Sequence, residues 1–431
     1  MKITLINHAC CLFEFASHKL LCDPWFQGSV FKQGWGLRWK SERCYEFIRD
    51  STDLWISHFH EDHLNKDTLL KIYEINPKLN IFANDSYNFK MNNIFHEIGF
   101  KNITALSERK EYRFSSDSSI IRYPATGIDN ALLIKHKGYK YLNLNDVVLS
   151  QFALNLLSKE MGDIEIIMSN FNHAGKLMKK KLDNKKIRES LIKNYKNNIK
   201  PFKFKFDIPF ASYHYYRAPE SVEQNKSMLG MNEISYINKS TIPIKLGDRL
   251  NYDPLNKNFR IEKILTIKEN HRDIIIREKK VDIEELIYLS TKYLKKLNKS
   301  FFYLTYFIKP LIITIYDLGI IVELSFRKNK IVIVKSKKSH INIHSTCLKI
   351  WLSKTFGTDQ ICVGSHFEIS ELGRGPLLKY ITICMLFDNK LDLVSLIKMT
   401  SNLKGLKFFF NRREEIIGLL ISKSILADYQ K

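Results

Sequence analysis

The sequence predicts an α/β fold followed by a smaller α+β unit, and three observations carry that reading. Short apolar runs separated by polar turns fill the first 23 residues. Strand-like and helix-like patterns then alternate as far as residue 106, and β-type runs return from Glu111 onward.

In order along the chain, runs at 3–6, 11–15 and 20–22 are separated by Asn7-His8 and Ser17-His18-Lys19, the pattern of hairpin strands. Asp23-Pro24 stops the third. The loop over 27–39 is too long and too aromatic for a plain turn, so it is expected to overhang a site, with Trp25, Trp35 and Trp39 shaping a substrate pocket. Helices are expected over 66–75 and 87–98, and strands over 80–83 and 103–106. Strands follow at 112–114 and 120–123, and a hairpin joins 131–134 to 139–142 across His136-Lys137-Gly138. A buried strand is expected at 164–168 and a last one at 207–213. Residues 176–205 hold twelve Lys or Arg against two acids, with apolar residues at helical spacing. That pattern predicts an amphipathic helix with a solvated lysine face.

Gly247-Asp248 and Asp253-Pro254 make 245–258 loop-like, which places an N-terminal unit at 1–245 and a C-terminal α+β unit at 255–431. The second is expected to hold a helix over 283–297, strands at 311–316, 320–326 and 330–334, a helix N-capped by Ser345, and a strand at 361–369. Its His340, His344 and His366 show no ligand spacing, and it reads as structural or substrate-shaping.

A hydrophobic content of 45% suits large buried cores. No apolar run reaches the roughly 18 residues of a membrane span, and the N-terminus lacks a secretory h-region, so a cytoplasmic location is expected. Seven cysteines contain no CxxC pair, which argues against a thiolate zinc site. The net charge of +23 comes from 52 Lys and 16 Arg, with no Arg cluster suited to base reading, so no specific nucleic acid partner is expected.

The chemistry is concentrated in His58-Phe59-His60-Glu61-Asp62-His63, directly after the apolar Leu54-Trp55-Ile56. In an extended segment His58 and His60 point to one side, and a following turn lets Asp62 and His63 swing back. Three imidazoles and a carboxylate suit zinc, iron or manganese better than an all-oxygen calcium or magnesium site.

Ser57-His58-Phe59-His60-Glu61-Asp62-His63-Leu64 resembles the metal motif of the metallo-β-lactamase superfamily, which implies a four-layer αββα sandwich. Asn7-His8-Ala9-Cys10, Asp23-Pro24-Trp25-Phe26, Gly34-Trp35-Gly36, the run Tyr139 to Asp146, Pro209-Phe210-Ala211-Ser212-Tyr213 and the run Gln360 to Phe367 narrow the resemblance. They are similar to the lactamase-like part of CMP-sialic acid hydroxylases. The resemblance implies a bridging carboxylate at Asp146 and a further histidine in the loop over 123–130. That loop offers only Asp129. The last ligand position falls to His173 or His214, and His8 is expected to hydrogen-bond a ligand from behind.

The expected cofactor is one or two divalent ions, zinc first and iron as the alternative. With zinc, Asp62 is the expected catalytic carboxylate: it binds one ion and orients the attacking water, for hydrolysis of an ester, amide or phosphoester in a small anionic substrate. The alternative is iron-dependent hydroxylation of a sugar nucleotide of the CMP-sialic acid type. The hydroxylases take electrons from a Rieske centre, and these residues contain no CxH paired with a CxxH, so a separate ferredoxin or Rieske protein is then expected. A third reading is a glycan or nucleotide binder without turnover.

Overall fold

The chain is represented by a computed structural model that describes residues 1–84, 91–125, 129–175, 183–270, 273–277, 279–335, 338–354, 356–388 and positions 397, 401, 406 and 410. Two large sheets dominate its N-terminal part. The first has eight strands in the order Asn258–Lys263, Asp248–Asp253, Lys2–Asn7, Cys10–Phe15, His18–Cys22, Asp53–Trp55, Asn80–Ala83 and Ile103–Ala105. The second has six, Glu111–Arg113, Ser118–Pro124, Asn130–His136, Tyr139–Asn143, Ile164–Ser169 and Phe204–Pro209, in sequence order.

Alternation along the strands decides what each face buries. Leu20 and Cys22 share a core with Ile3, Leu5, Phe13 and Trp55 and, from the second sheet, Ile120, Leu132, Ile134, Leu142 and Ile166. The neighbouring Leu21 joins Ile6, Leu12, Leu54 and Ile81 in a separate core with Leu69, Ile72 and Phe95. Those last three lie on the helices Lys66–Ile75 and Met91–Ile98. Asn65 caps the first of these, its side chain accepting from Thr68 N at 3.0 Å.

The parallel pairings set the position of the site. His18–Cys22 pairs in parallel with Asp53–Trp55, and Tyr139–Asn143 with Ile164–Ser169. Consequently Asp23, the segment after Trp55, and Asn145-Asp146 all emerge from the carboxyl ends of parallel strands, where ligand loops gather in open α/β sheets.

Several expectations change in detail. The helix expected over 87–98 is described from Met91, with 87–90 outside the described residues. Of the lysine-rich stretch, 176–182 also lie outside them; Asn184–Ile199 is helical, and Lys205 belongs to the strand Phe204–Pro209. The expected strand at 207–213 breaks at Ala211, whose φ of 55° turns the chain. His214–Tyr216 beyond it pairs instead with Trp35–Leu37 of the long aromatic loop. The expected boundary at 245–255 falls inside the first sheet, because Lys2 and Ile3 pair with Asn251 and Leu250, and 258–263 add a further strand. The Asp253-Pro254 signal that suggested a linker marks the turn of that hairpin.

The C-terminal part has its own five-stranded sheet, in the order Lys330–Ile333, Ile320–Ser325, Leu311–Ile315, Ile341–Ile343 and Phe367–Ile369. The helices Ile283–Thr305, Ser345–Ser353 and Arg374–Asp388 contribute to its separate core with Leu294, Leu348, Trp351 and Tyr380. The strand expected at 361–369 is extended only over Phe367–Ile369; residues 361–363 close the helix Gly357–Val363, and Ser365, at φ 58°, lies in the turn between them. His344 rather than Ser345 is the N-cap of Ser345–Ser353, its Nδ1 accepting from Thr346 N at 3.2 Å.

Leu132 is fully buried in the core shared by the two large sheets. Leu132→Ala is expected to lower the unfolding free energy by about 2–5 kcal/mol, measured by urea titration. A change within error of zero would contradict that packing.

Candidate metal centre

The His58 to His63 segment leaves the Asp53–Trp55 strand in a tight turn, with His63 N and Leu64 N both donating to His60 O, at 3.0 and 2.7 Å. Its entry is held from both sheets. Ser57 N donates to Asp23 Oδ1 at 2.7 Å, Asn130 Nδ2 donates to Ser57 O at 2.7 Å, and Asn84 Nδ2 donates to the same oxygen at 2.6 Å.

The histidines then converge. His58 Nε2 faces His60 Nδ1 at 2.9 Å and Asp129 Oδ1 at 3.7 Å. His63 Nε2 lies 3.0 Å from Asp146 Oδ2 and 3.3 Å from Asp62 Oδ2, while its Nδ1 sits 3.2 Å from Asp23 Oδ2. Among the described residues, ligand atoms close enough to share an ion form three overlapping groups: His58, His60 and Asp129; His58, His63 and Asp146; and His8, Asp62 and His63. Asp62 Oδ1 and Asp146 Oδ1 are buried and have no hydrogen-bond partner among the described residues. Buried carboxylate oxygens without donors carry a desolvation cost, and a cation removes it. The mixed imidazole and carboxylate donor set therefore fits a transition-metal ion.

Electrostatics agree with that fit. Burial works against a charge on His63, yet Asp62, Asp146 and Asp23 outweigh it and hold its pKa well above the usual imidazole value. Burial likewise opposes the proton on His60, but Asp359, Asp62 and Asp129 raise its pKa to about 9. His58, where burial dominates and His63 and His60 add to it, is pushed well below the usual value. Burial pushes Asp62 upward, and His63 and His8 more than reverse it, leaving its pKa well below the carboxylate range. Without an ion, protons on His60 and His63 balance the carboxylates; an ion takes their place.

His8 has a defined task in this arrangement. Tyr213 N donates to its Nδ1 at 3.1 Å, so the neutral ring carries its proton on Nε2, which donates to Asp62 Oδ2 at 3.1 Å. That leaves His8 no free lone pair for an ion; it orients Asp62.

His173 and His214 are not brought into any of the three groups. The His173 nitrogens face Tyr216 Oη at 2.9 Å and Ser227 Oγ at 3.2 Å, and burial lowers its pKa to about 4. His214 stacks on Trp35, ring centroids 3.7 Å apart. The tryptophans do not form an overhanging rim. Trp25 and Trp35 are buried with their rings 5.3 and 6.3 Å from His8, and Trp39 belongs to the core between the sheets. Of the loop over 123–130, where the resemblance implied a further histidine, residues 126–128 lie outside the described residues.

Sequence reasoning missed Asp23, Asn145 and Asp359. Asp23 carried a signal, a carboxylate at a strand end before proline, but its role needed the pairing of Cys22 with Trp55. Asp359 Oδ2, 3.2 Å from His60 Nε2, comes from the far C-terminal part and carried none.

No family model matches the chain. Among curated proteins, the cytidine monophosphate-N-acetylneuraminic acid hydroxylase of Mus musculus is 26% identical over 159 residues, 34% of this chain and 26% of that protein. The Cricetulus griseus hydroxylase is 25% identical over 234 residues, 49% of this chain and 40% of that one. This chain resembles those hydroxylases. The matched segments span two fifths of these relatives' lengths or less. Solved structures similar to part of it include CmlA, a diiron β-hydroxylase from Streptomyces venezuelae, at 14% identity, TM-score 0.38, covering 49% of this chain and 44% of CmlA. The isothiocyanate hydrolase from Delia radicum gut bacteria aligns at 17% identity and TM-score 0.39, over 55% of this chain and 91% of the hydrolase. The metallo-beta-lactamase fold protein YhfI from Bacillus subtilis aligns at 13% and 0.35, over 56% and 93%.

Replacing His8 removes the donor that aims Asp62. His8→Ala is expected to weaken divalent-ion binding by about 10–100-fold, read by competition with a chromophoric chelator. An unchanged affinity would remove His8 from the site.

Proposed function

We propose that this protein is a metal-dependent hydrolase of a small anionic substrate. One or two divalent ions, zinc first, are held by His58, His60, Asp62, His63, Asp129 and Asp146. The observation that carries this reading is the pair of ligand groups that share His58, one with His60 and Asp129 and one with His63 and Asp146, together with the buried Asp62 Oδ1 and Asp146 Oδ1, which accept no hydrogen bond among the described residues.

A bound ion supplies Lewis-acid activation of water and polarises a carbonyl or phosphoryl oxygen. The chain supplies the rest. His8 fixes Asp62 through Oδ2, and so sets the direction in which this carboxylate would hold the ion and orient the attacking water. Trp25, buried beside His8, keeps water from its far side. The net charge of +23 raises the local concentration of an anionic substrate. Hydrolysis also balances with water as its sole co-reactant.

A second reading is favoured by the names of the curated relatives. It is hydroxylation of a sugar nucleotide with iron at the same residues, using dioxygen and two electrons from a separate ferredoxin or Rieske protein.

Metal analysis of the purified protein, combined with turnover assays, separates the two. Hydrolysis predicts one to two zinc per chain, water-dependent cleavage of a model ester or phosphodiester, and an Asp62→Ala rate about 10²–10⁴-fold lower. Bound iron, reductant-dependent oxygen consumption and no cleavage would establish hydroxylation instead. Metal binding with neither activity would leave a binding protein.

A further inference from the structure

The His58 to His63 turn is gripped from a distant part of the chain. The helix Gly357–Val363 of the C-terminal part brings Asp359 Oδ2 to 3.2 Å from His60 Nε2, and the next residue, Gln360, donates from Nε2 to Glu61 Oε1 at 3.0 Å. The other oxygen of Glu61 accepts from Phe31 N at 2.6 Å. Phe31 O in turn meets His366 Nε2 at 2.7 Å, and His366 Nδ1 lies 2.8 Å from Arg277 Nη2. Three parts of the chain, the aromatic loop, the metal motif and the C-terminal helix, are thus joined by hydrogen bonds.

This approach is built into the backbone. A Cβ at Gly34 would lie 2.6 Å from Gly364 Cα and 2.8 Å from His366 Nε2, so only glycine lets the loop meet the end of this helix so closely. Phe31, Lys32 and Gln33 adopt φ of 52°, 52° and 68° to bring Gly34 there. Strain of that kind in non-glycine residues persists where the surroundings over-determine it.

The two nitrogens of His60 therefore face different partners. Nδ1 looks toward His58 Nε2 at 2.9 Å and the proposed ion position, and Nε2 looks toward Asp359. We propose that Asp359 is a positioning residue for the metal centre: by accepting the proton of His60 Nε2 it holds the ring in the tautomer and orientation that present Nδ1 as a ligand. The inference rests on the metal-binding reading of the site. It gives the C-terminal part a task, completing the site from outside the two large sheets. A carboxylate that receives the outer N–H of a ligating histidine raises the basicity of that ligand and fixes its direction.

The test is Co²⁺ binding to the full chain, with dissociation constants from equilibrium dialysis, ligand-field absorption as a second readout, and thermal unfolding of the ion-free protein as the control. Asp359→Ala is expected to weaken Co²⁺ binding by about 10–100-fold and to alter the absorption band, while the ion-free melting temperature stays within a few degrees. Asp359→Asn keeps an acceptor but drops the charge, and is expected to fall between wild type and Asp359→Ala. Wild-type affinity in Asp359→Ala would overturn the proposal and leave the metal centre standing. Failure of the wild-type chain to take up Co²⁺ would overturn both. Should Asp359→Ala not fold, Asp359→Asn decides: weakened Co²⁺ binding supports the role, and unchanged binding overturns it.

Discussion

A single buried carboxylate ties the two large sheets together where the chemistry is proposed. Asp23 is fully buried, at the end of a first-sheet strand, and burying its charge is costly unless every lone pair is engaged. Its Oδ1 takes the Ser57 amide, and its Oδ2 takes the side chain of Asn145, which follows a strand of the second sheet, and lies beside His63 Nδ1. Holding one ring nitrogen of His63 this way turns the other toward Asp62 and Asp146. Both sheets must reach their carboxyl ends in register for those contacts to form, so the core between them and the site above it are coupled. Loss of the sheet packing would disperse the ligands.

The charge balance explains why the site is crowded with both signs. Asp23, Asp62 and Asp146 around His63 are unfavourable to bury together without compensating cations. In the ion-free chain that compensation comes from imidazolium groups, and a divalent ion is a better match because it satisfies the two oxygens that accept nothing among the described residues. The same balance extends outward through His60 to Asp359, which links the C-terminal part to the site electrostatically as well as by packing.

Much of this was legible in the sequence where the signal is local. The helix at 66–75 and the strand at 80–83 follow from periodicity, and the six-residue metal motif announces itself by composition. What was not legible depends on distant partners. Asp253-Pro254 reads as a linker until the first strand is known to need a neighbour, and residues 361–363 read as β-type although they close a helix. Trp25, Trp35 and Trp39 look like a pocket rim in a loop; the pairing of Trp35–Leu37 with His214–Tyr216 buries Trp35 beside His214 instead. Asp359 has no local cue because its partner belongs to another sheet's loop.

The central claim is that His58, His60, Asp62, His63, Asp129 and Asp146 form one ion-binding centre. Anomalous diffraction from crystals of the purified protein, with data on either side of the zinc and iron absorption edges, tests it most directly. The account predicts one or two anomalous peaks enclosed by those six side chains, with His8 and Asp359 outside the coordination sphere. A well-ordered site with no peak, in crystals of protein supplied with both metals, would contradict it, as would an ion ligated by other residues.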